Sequence, residues 1–253
     1  MSPGLAPFLR RSVKNFINIS VREVIMGFLE KFTSKSSDTM PATLERPSSF
    51  DRLTDEELDT HLNIKSYGSF VLTDAVRPSY DLQVVPQPGY RFDAYHDACS
   101  GTDVPVLMAA ASRENLLDLF MDLLDPLGND VKVVLETSHG AGGGQHVDVC
   151  RDHIDLPILK STLWDYEDLL LNDGCTGIAV LNSSIPYEVQ FDEHKMLVVY
   201  GEPLTDFENI LKGYGLACYD DMRFITEAEH VHSSHDRHAD LFDQMKLRLG
   251  MED

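Results

Sequence analysis

GIAVLNSSIPYEVQFDEHKMLVVY, residues 177–200, decides the fold class. Its apolar runs at 177–181, 187–191 and 195–200 are short and rich in β-branched and aromatic residues, so they read as strands. The polar tripeptide Asp192-Glu193-His194 stops the alternation, which then restarts, and this predicts a tight hairpin between the second and third strands. Outward from this core, 156–171 and 205–214 carry helical periodicity, 222–226 reads as a further strand, and 239–249 as a short last helix. Helix, three strands, helix, strand is an interrupted β-α-β order. It implies an α+β fold with a mixed or antiparallel sheet and helices on one face.

The same order is expected upstream. Residues 62–72 and 171–181 align at an offset of 109 with five of eleven positions identical, among them Leu62-Asn63 and Gly68. Residues 106–139 then align with 197–230 at an offset of 91, where Asp130, Glu136 and His139 answer to Asp221, Glu227 and His230. A tandem duplication accounts for both blocks. The expected organisation is therefore a basic amphipathic helix (1–33), a flexible linker (34–49), unit one (50–139), a Gly/His-rich connection (140–155), and unit two with the closing helix (156–253). Unit one begins at Thr54-Asp55-Glu56-Glu57, a capping-box spelling. It also carries an extra segment, 85–103, that breaks the repeat.

Charge is the outstanding feature of the composition. The net value is −21, yet residues 1–35 hold six basic side chains against two acidic ones. The remainder carries 15 basic and 40 acidic residues, a charge of −25 that repels nucleic-acid backbones. Such a body suits basic protein partners or cations. Residues 11–32 set Phe16, Ile17, Val24, Ile25 and Phe28 against basic residues on the other side, a pattern suited to peripheral contact with an anionic membrane or to the acidic body itself. Four cysteines without C-x-x-C spacing read as reduced thiols of a cytoplasmic protein.

Chemistry-bearing residues fall in three places. His139, His146, Cys150 and His153 lie within 15 residues of one another and offer nitrogen and sulfur donors that suit zinc. The pair Glu227-x-x-His230 mirrors Glu136-x-x-His139; on a helix such a pair can hold iron, but on a strand residues three apart face opposite ways. Tyr90, Phe92 and Tyr95 in the extra segment are candidates for a partner surface or for covering a sheet edge. No G-x-S-x-G, H-E-x-x-H or Walker spelling occurs. The expected function is therefore non-catalytic, a protein-binding adaptor, chaperone-like or regulatory module without a cofactor. The alternative is a metal-dependent enzyme that uses zinc or iron at 136–153 and 227–238.

Overall fold

The computed structural model describes residues 48–97, 101–139, 146–182 and 184–251. The N-terminal helix expected over 1–33, and all of the expected linker up to residue 47, lie outside the described residues.

Helix α1 (Asp55–Leu62) opens where the capping box places it. The Thr54 hydroxyl accepts the Glu57 N–H at 3.3 Å, while the Glu57 carboxylate accepts the Thr54 N–H at 2.9 Å. Beyond it come the short strands β1 (Ser66–Tyr67), β2 (Phe70–Val71) and β3 (Val76–Pro78). The long strands β4 (Gly89–Asp97) and β5 (Thr102–Ala110), helix α2 (Arg113–Leu123), and strands β6 (Asp130–Thr137) and β7 (Val147–Asp155) come next. Helices α3 (Leu156–Asp165) and α4 (Glu167–Asn172) lead into β8 (Thr176–Asn182), β9 (Tyr187–Phe191) and β10 (Leu197–Tyr200). Helix α5 (Thr205–Gly213), strand β11 (His230–His232) and helix α6 (Asp236–Arg248) close the described chain.

Seven strands form one antiparallel sheet in the order β4-β5-β10-β9-β8-β6-β7. Side chains alternate across it, as a two-residue period requires. Leu107, Val133, Ile178, Val189, Phe191 and Val199 point to the face where Leu119, Phe120, Leu163, Phe207 and Met245 of the helices pack. The Phe120 and Phe191 rings meet at 5.2 Å and are almost wholly buried. On the opposite face, Tyr95, Met108, Val198 and Tyr200 pack with Met196, Met222 and Phe224. Among the described residues, no helix is long and apolar enough to cross a membrane.

The α+β reading holds; a tandem repeat is not shown. Both expected units feed one sheet: β5 pairs with β10, and β6 pairs with β8 rather than within its own unit. The counterpart of β6 at 222–226 is not a strand. It runs over the second face and enters the 3-10 turn Ile225–Glu227. Tyr80 lies in a turn while Tyr187 begins β9. The extra segment of unit one contains β4, and the Gly/His-rich connection contains β7. The single helix expected over 156–171 breaks at Tyr166, whose φ of −114° and ψ of 26° leave the helical region.

A second ribbon sets up the site. β3 pairs antiparallel with β11, with Val231 opposite Arg77. Its end is tied to the loop before β8, because the Gly174 N–H donates to Ser233 O at 2.9 Å and the Ser233 N–H to Ala75 O at 2.8 Å. A Cβ on residue 174 would lie 2.4 Å from Ala75 O and 2.9 Å from Ser233 O, so the crossing requires glycine.

Candidate metal centre

Three histidines converge where the β9–β10 hairpin meets the ribbon. His194 stands in the hairpin turn, built on Asp192: the Asp192 Oδ1 accepts the N–H groups of His194 (3.0 Å) and Met196 (2.8 Å). Lys195 takes φ of 64°, the left-handed residue that lets such a loop rejoin the strand. His230 and His232 are two residues apart on β11, so strand geometry turns both rings to the same side. The ring centroids are 4.8 Å (His194–His230), 4.6 Å (His194–His232) and 5.0 Å (His230–His232) apart. All three residues are buried.

Each Nδ1 is already committed. His230 Nδ1 is 2.8 Å from Ala228 O, His232 Nδ1 is 2.7 Å from Gly174 O, and His194 Nδ1 is 3.1 Å from the Asp192 carboxylate. Carbonyl and carboxylate oxygens only accept, so each Nδ1 carries the proton. In a neutral ring so arranged, the nitrogen left with a free lone pair is Nε2. The Nε2 atoms of His194 and His232 are buried without a hydrogen-bond partner. One ring nitrogen from each histidine lies within 4.8 Å of the others. An unsatisfied buried acceptor costs about 1–3 kcal/mol, which a cation would relieve.

The electrostatics hold two of the three rings neutral. Burial, reinforced by the neighbouring His194, pushes His230 down to about 4. Burial, and then His194 and His230, push His232 well below its ordinary value. Burial opposes charge on His194 as well, but Glu193 and Asp192 outweigh it and raise that imidazole above its ordinary value. Lys195 is buried beside them, donating to Thr176 O at 2.9 Å; desolvation pulls it down, against the acidic pull of Asp173, Asp192 and Glu193.

Next to the triad is a second polar group centred on Asp173, which is wholly buried. Its carboxylate meets His139 Nε2 at 2.8 Å, the Thr176 hydroxyl at 2.5 Å and the Cys175 N–H at 3.2 Å. Burial works against the ionised form, but His139 and His238 hold the carboxylate well below its usual range. Burial also pushes the Cys175 thiol up.

Of the sequence candidates, His230 enters the triad and His139 the Asp173 group. Among the described residues, no group of three potential ligands includes His146, Cys150, His153 or Glu227. His146 Nδ1 is 2.8 Å from the Glu136 carboxylate. Cys150 is exposed on β7, and the exposed His153 is 3.0 Å from Asp130. Glu227 is occupied by Arg91, at 3.1 Å, and by the Phe224 N–H, at 2.7 Å. The aromatic candidates divide: Tyr90 and Tyr95 are buried, Tyr90 with its hydroxyl on Glu208 at 2.8 Å, whereas Phe92 is 48% exposed. His194, His232, Asp173 and Cys175 were not among the candidates. The signal for two of the triad was present in His230-Val231-His232, since an H-x-H pair on a strand shares one face. Comparison with protein-family models, curated proteins and solved structures finds no match.

Proposed function

We propose that this chain is a zinc-dependent protein of catalytic type, with His194, His230 and His232 as ligands and a fourth position left for water or a substrate oxygen. The observation that carries the reading is the set of three buried imidazoles whose Nδ1 atoms are all engaged and which each bring a ring nitrogen within 4.8 Å of the others. Orienting each ligand through its second nitrogen is what metal-binding histidines require. Three neutral nitrogen donors suit zinc better than non-haem iron, whose usual set includes a carboxylate. Zinc held this way keeps its full charge and brings bound water to a pKa of about 7. His194 also borders a cleft lined by Phe70, Leu72, Met196, Met222 and Phe224.

The test is a zinc titration of chelator-treated protein alongside His194→Ala, His230→Ala and His232→Ala. Each variant loses one equivalent. Unchanged stoichiometry and affinity in all three would reject the site.

A second reading is a protein-binding module. Phe92 supports it, as a large exposed ring on the outermost strand of the sheet in a strongly acidic chain. Loss of partner capture by Phe92→Ala at unchanged stability is its expected signature.

A further inference from the structure

We infer that residues 11–32 of the chain dock as an amphipathic helix on the half of the second sheet face formed by β9, β8, β6 and β7. This inference is independent of the three-histidine centre.

The two halves of that face differ. Over β4, β5 and β10, Met222 and Phe224 pack onto it. Over the other four strands, among the described residues, no helix contributes to the apolar cluster. Val134 and Ala179 are wholly buried there, yet the cluster extends only to Leu181. The strand register lays this half out in rows. Ala179 pairs with Gln190 and Val134, and Val134 pairs with Cys150. The flanking rows set Leu181 beside Glu188, and Glu136 between Gly177 and Asp148. Gly177, Ala179 and Val134 thus form a shallow trough of small side chains. Acids flank it, Glu188 on β9 and the exposed Asp148 and Asp152 on β7. With Glu136, these make four acidic groups against Lys132, which itself meets Asp152 at 3.1 Å.

The segment matches this surface in shape and in charge. Its apolar stripe carries Phe16, Ile17, Val24, Ile25 and Phe28, large side chains that fill a trough of small ones as close packing requires. Arg11, Lys14, Arg22 and Lys31 stand against Glu23 and Glu30, a net charge of +2. Arg11 and Arg22 are about three turns apart, so they lie on one line along the helix, in reach of one acidic flank. Four strands about 4.8 Å apart offer a width that takes one helix about 10–12 Å across. The exit of the chain agrees. Ser49 N–H donates to Glu229 at 2.8 Å, just before β11, and the stretch that leads into β11 packs on the second face through Met222 and Phe224. Residues 33–47 then span up to about 50 Å when extended, enough to bring the segment back over β6 and β8.

Limited trypsin digestion of the full chain, read by mass spectrometry, tests the docking. In the wild-type chain, cleavage after Lys35 comes first. Cleavage after Arg11, Lys14 and Arg22 is at least about tenfold slower than in Phe16→Asp/Phe28→Asp, whose changes leave the body untouched. Asp148→Lys/Asp152→Lys reverses two exposed charges on β7 and exposes the same bonds, at an unchanged urea midpoint. Should that midpoint move, Cys150→Arg, at an exposed position on the central row, takes its place. Equally fast cleavage of the wild-type chain and Phe16→Asp/Phe28→Asp overturns the docking, as does protection that survives the β7 substitutions. Protection that arises only on adding phosphatidylserine-containing vesicles overturns it too, and assigns the segment to a membrane surface.

Discussion

Gly174→Ala is the perturbation that most closely joins fold and site. The new Cβ would stand 2.4 Å from Ala75 O, 2.9 Å from Ser233 O and 3.1 Å from His232 Cβ. Two of these contacts are with backbone, so relief comes only by parting the β3–β11 ribbon from the loop before β8. Overpacking of this kind costs about 1–3 kcal/mol. Parting the elements also weakens the bonds Gly174 N–H to Ser233 O (2.9 Å) and His232 Nδ1–H to Gly174 O (2.7 Å), at about 1 kcal/mol each. The expected loss is about 3–5 kcal/mol, or roughly 6–20 °C in Tm at 2–4 °C per kcal/mol for a domain of this size. Because His232 loses the acceptor that orients it, zinc affinity should fall about 10–100-fold as well. Urea denaturation of the metal-free protein reads the first quantity, and competition with a chromophoric chelator the second. A variant with the wild-type midpoint and affinity would refute the idea that the crossing at Gly174 supports the centre.

Other consequences follow from the same geometry. Phe120→Ala, emptying a wholly buried ring position against Phe191, should cost about 3–5 kcal/mol by urea denaturation. Phe92→Ala, at an exposed position, should change stability by no more than about 0.5 kcal/mol in the same assay. Acid should destabilise the metal-free protein. His230, at about 4, and His232, held well below its ordinary value by burial, bind protons more weakly folded than unfolded. Their stabilisation is therefore complete above the unfolded value near 6.5 and declines as pH falls towards 4, by up to about 1.36 kcal/mol per pH unit for each ring. Denaturation midpoints between pH 7.5 and 4.5 check this, and a midpoint that rises on acidification would contradict it.

The hairpin was legible in the sequence because β9 and β10 are apolar on both sides of a polar turn, and α1 because its cap is spelled in the four residues Thr54–Glu57. Strand β7 was hidden: most of Val147–Asp155 is exposed at the sheet's edge, so no hydrophobic alternation marks it. The supposed repeat has a physical source. Strand-to-helix segments covering one face of a sheet need the same apolar spacing, so 106–139 and 197–230 look alike; both run strand then helix and differ after it, where β6 answers to the turn at 222–227. The centre was half legible. His139 was singled out with His146, Cys150 and His153, and His230 through its glutamate three residues away, whereas the triad's chemistry lies in the two-residue period of β11 and in a hairpin 36 residues earlier. Nothing local in the sequence brings His194 to β11; that contact depends on pairing β3 with β11 across the chain.

The most direct test of the central claim is an anomalous difference map, collected at the zinc edge, from a crystal of the zinc-loaded protein. The three-histidine centre predicts a peak at about 2.0–2.1 Å from the Nε2 atoms of His194, His230 and His232 together. A map with no peak among those three nitrogens, from protein shown to be saturated with zinc, would contradict it.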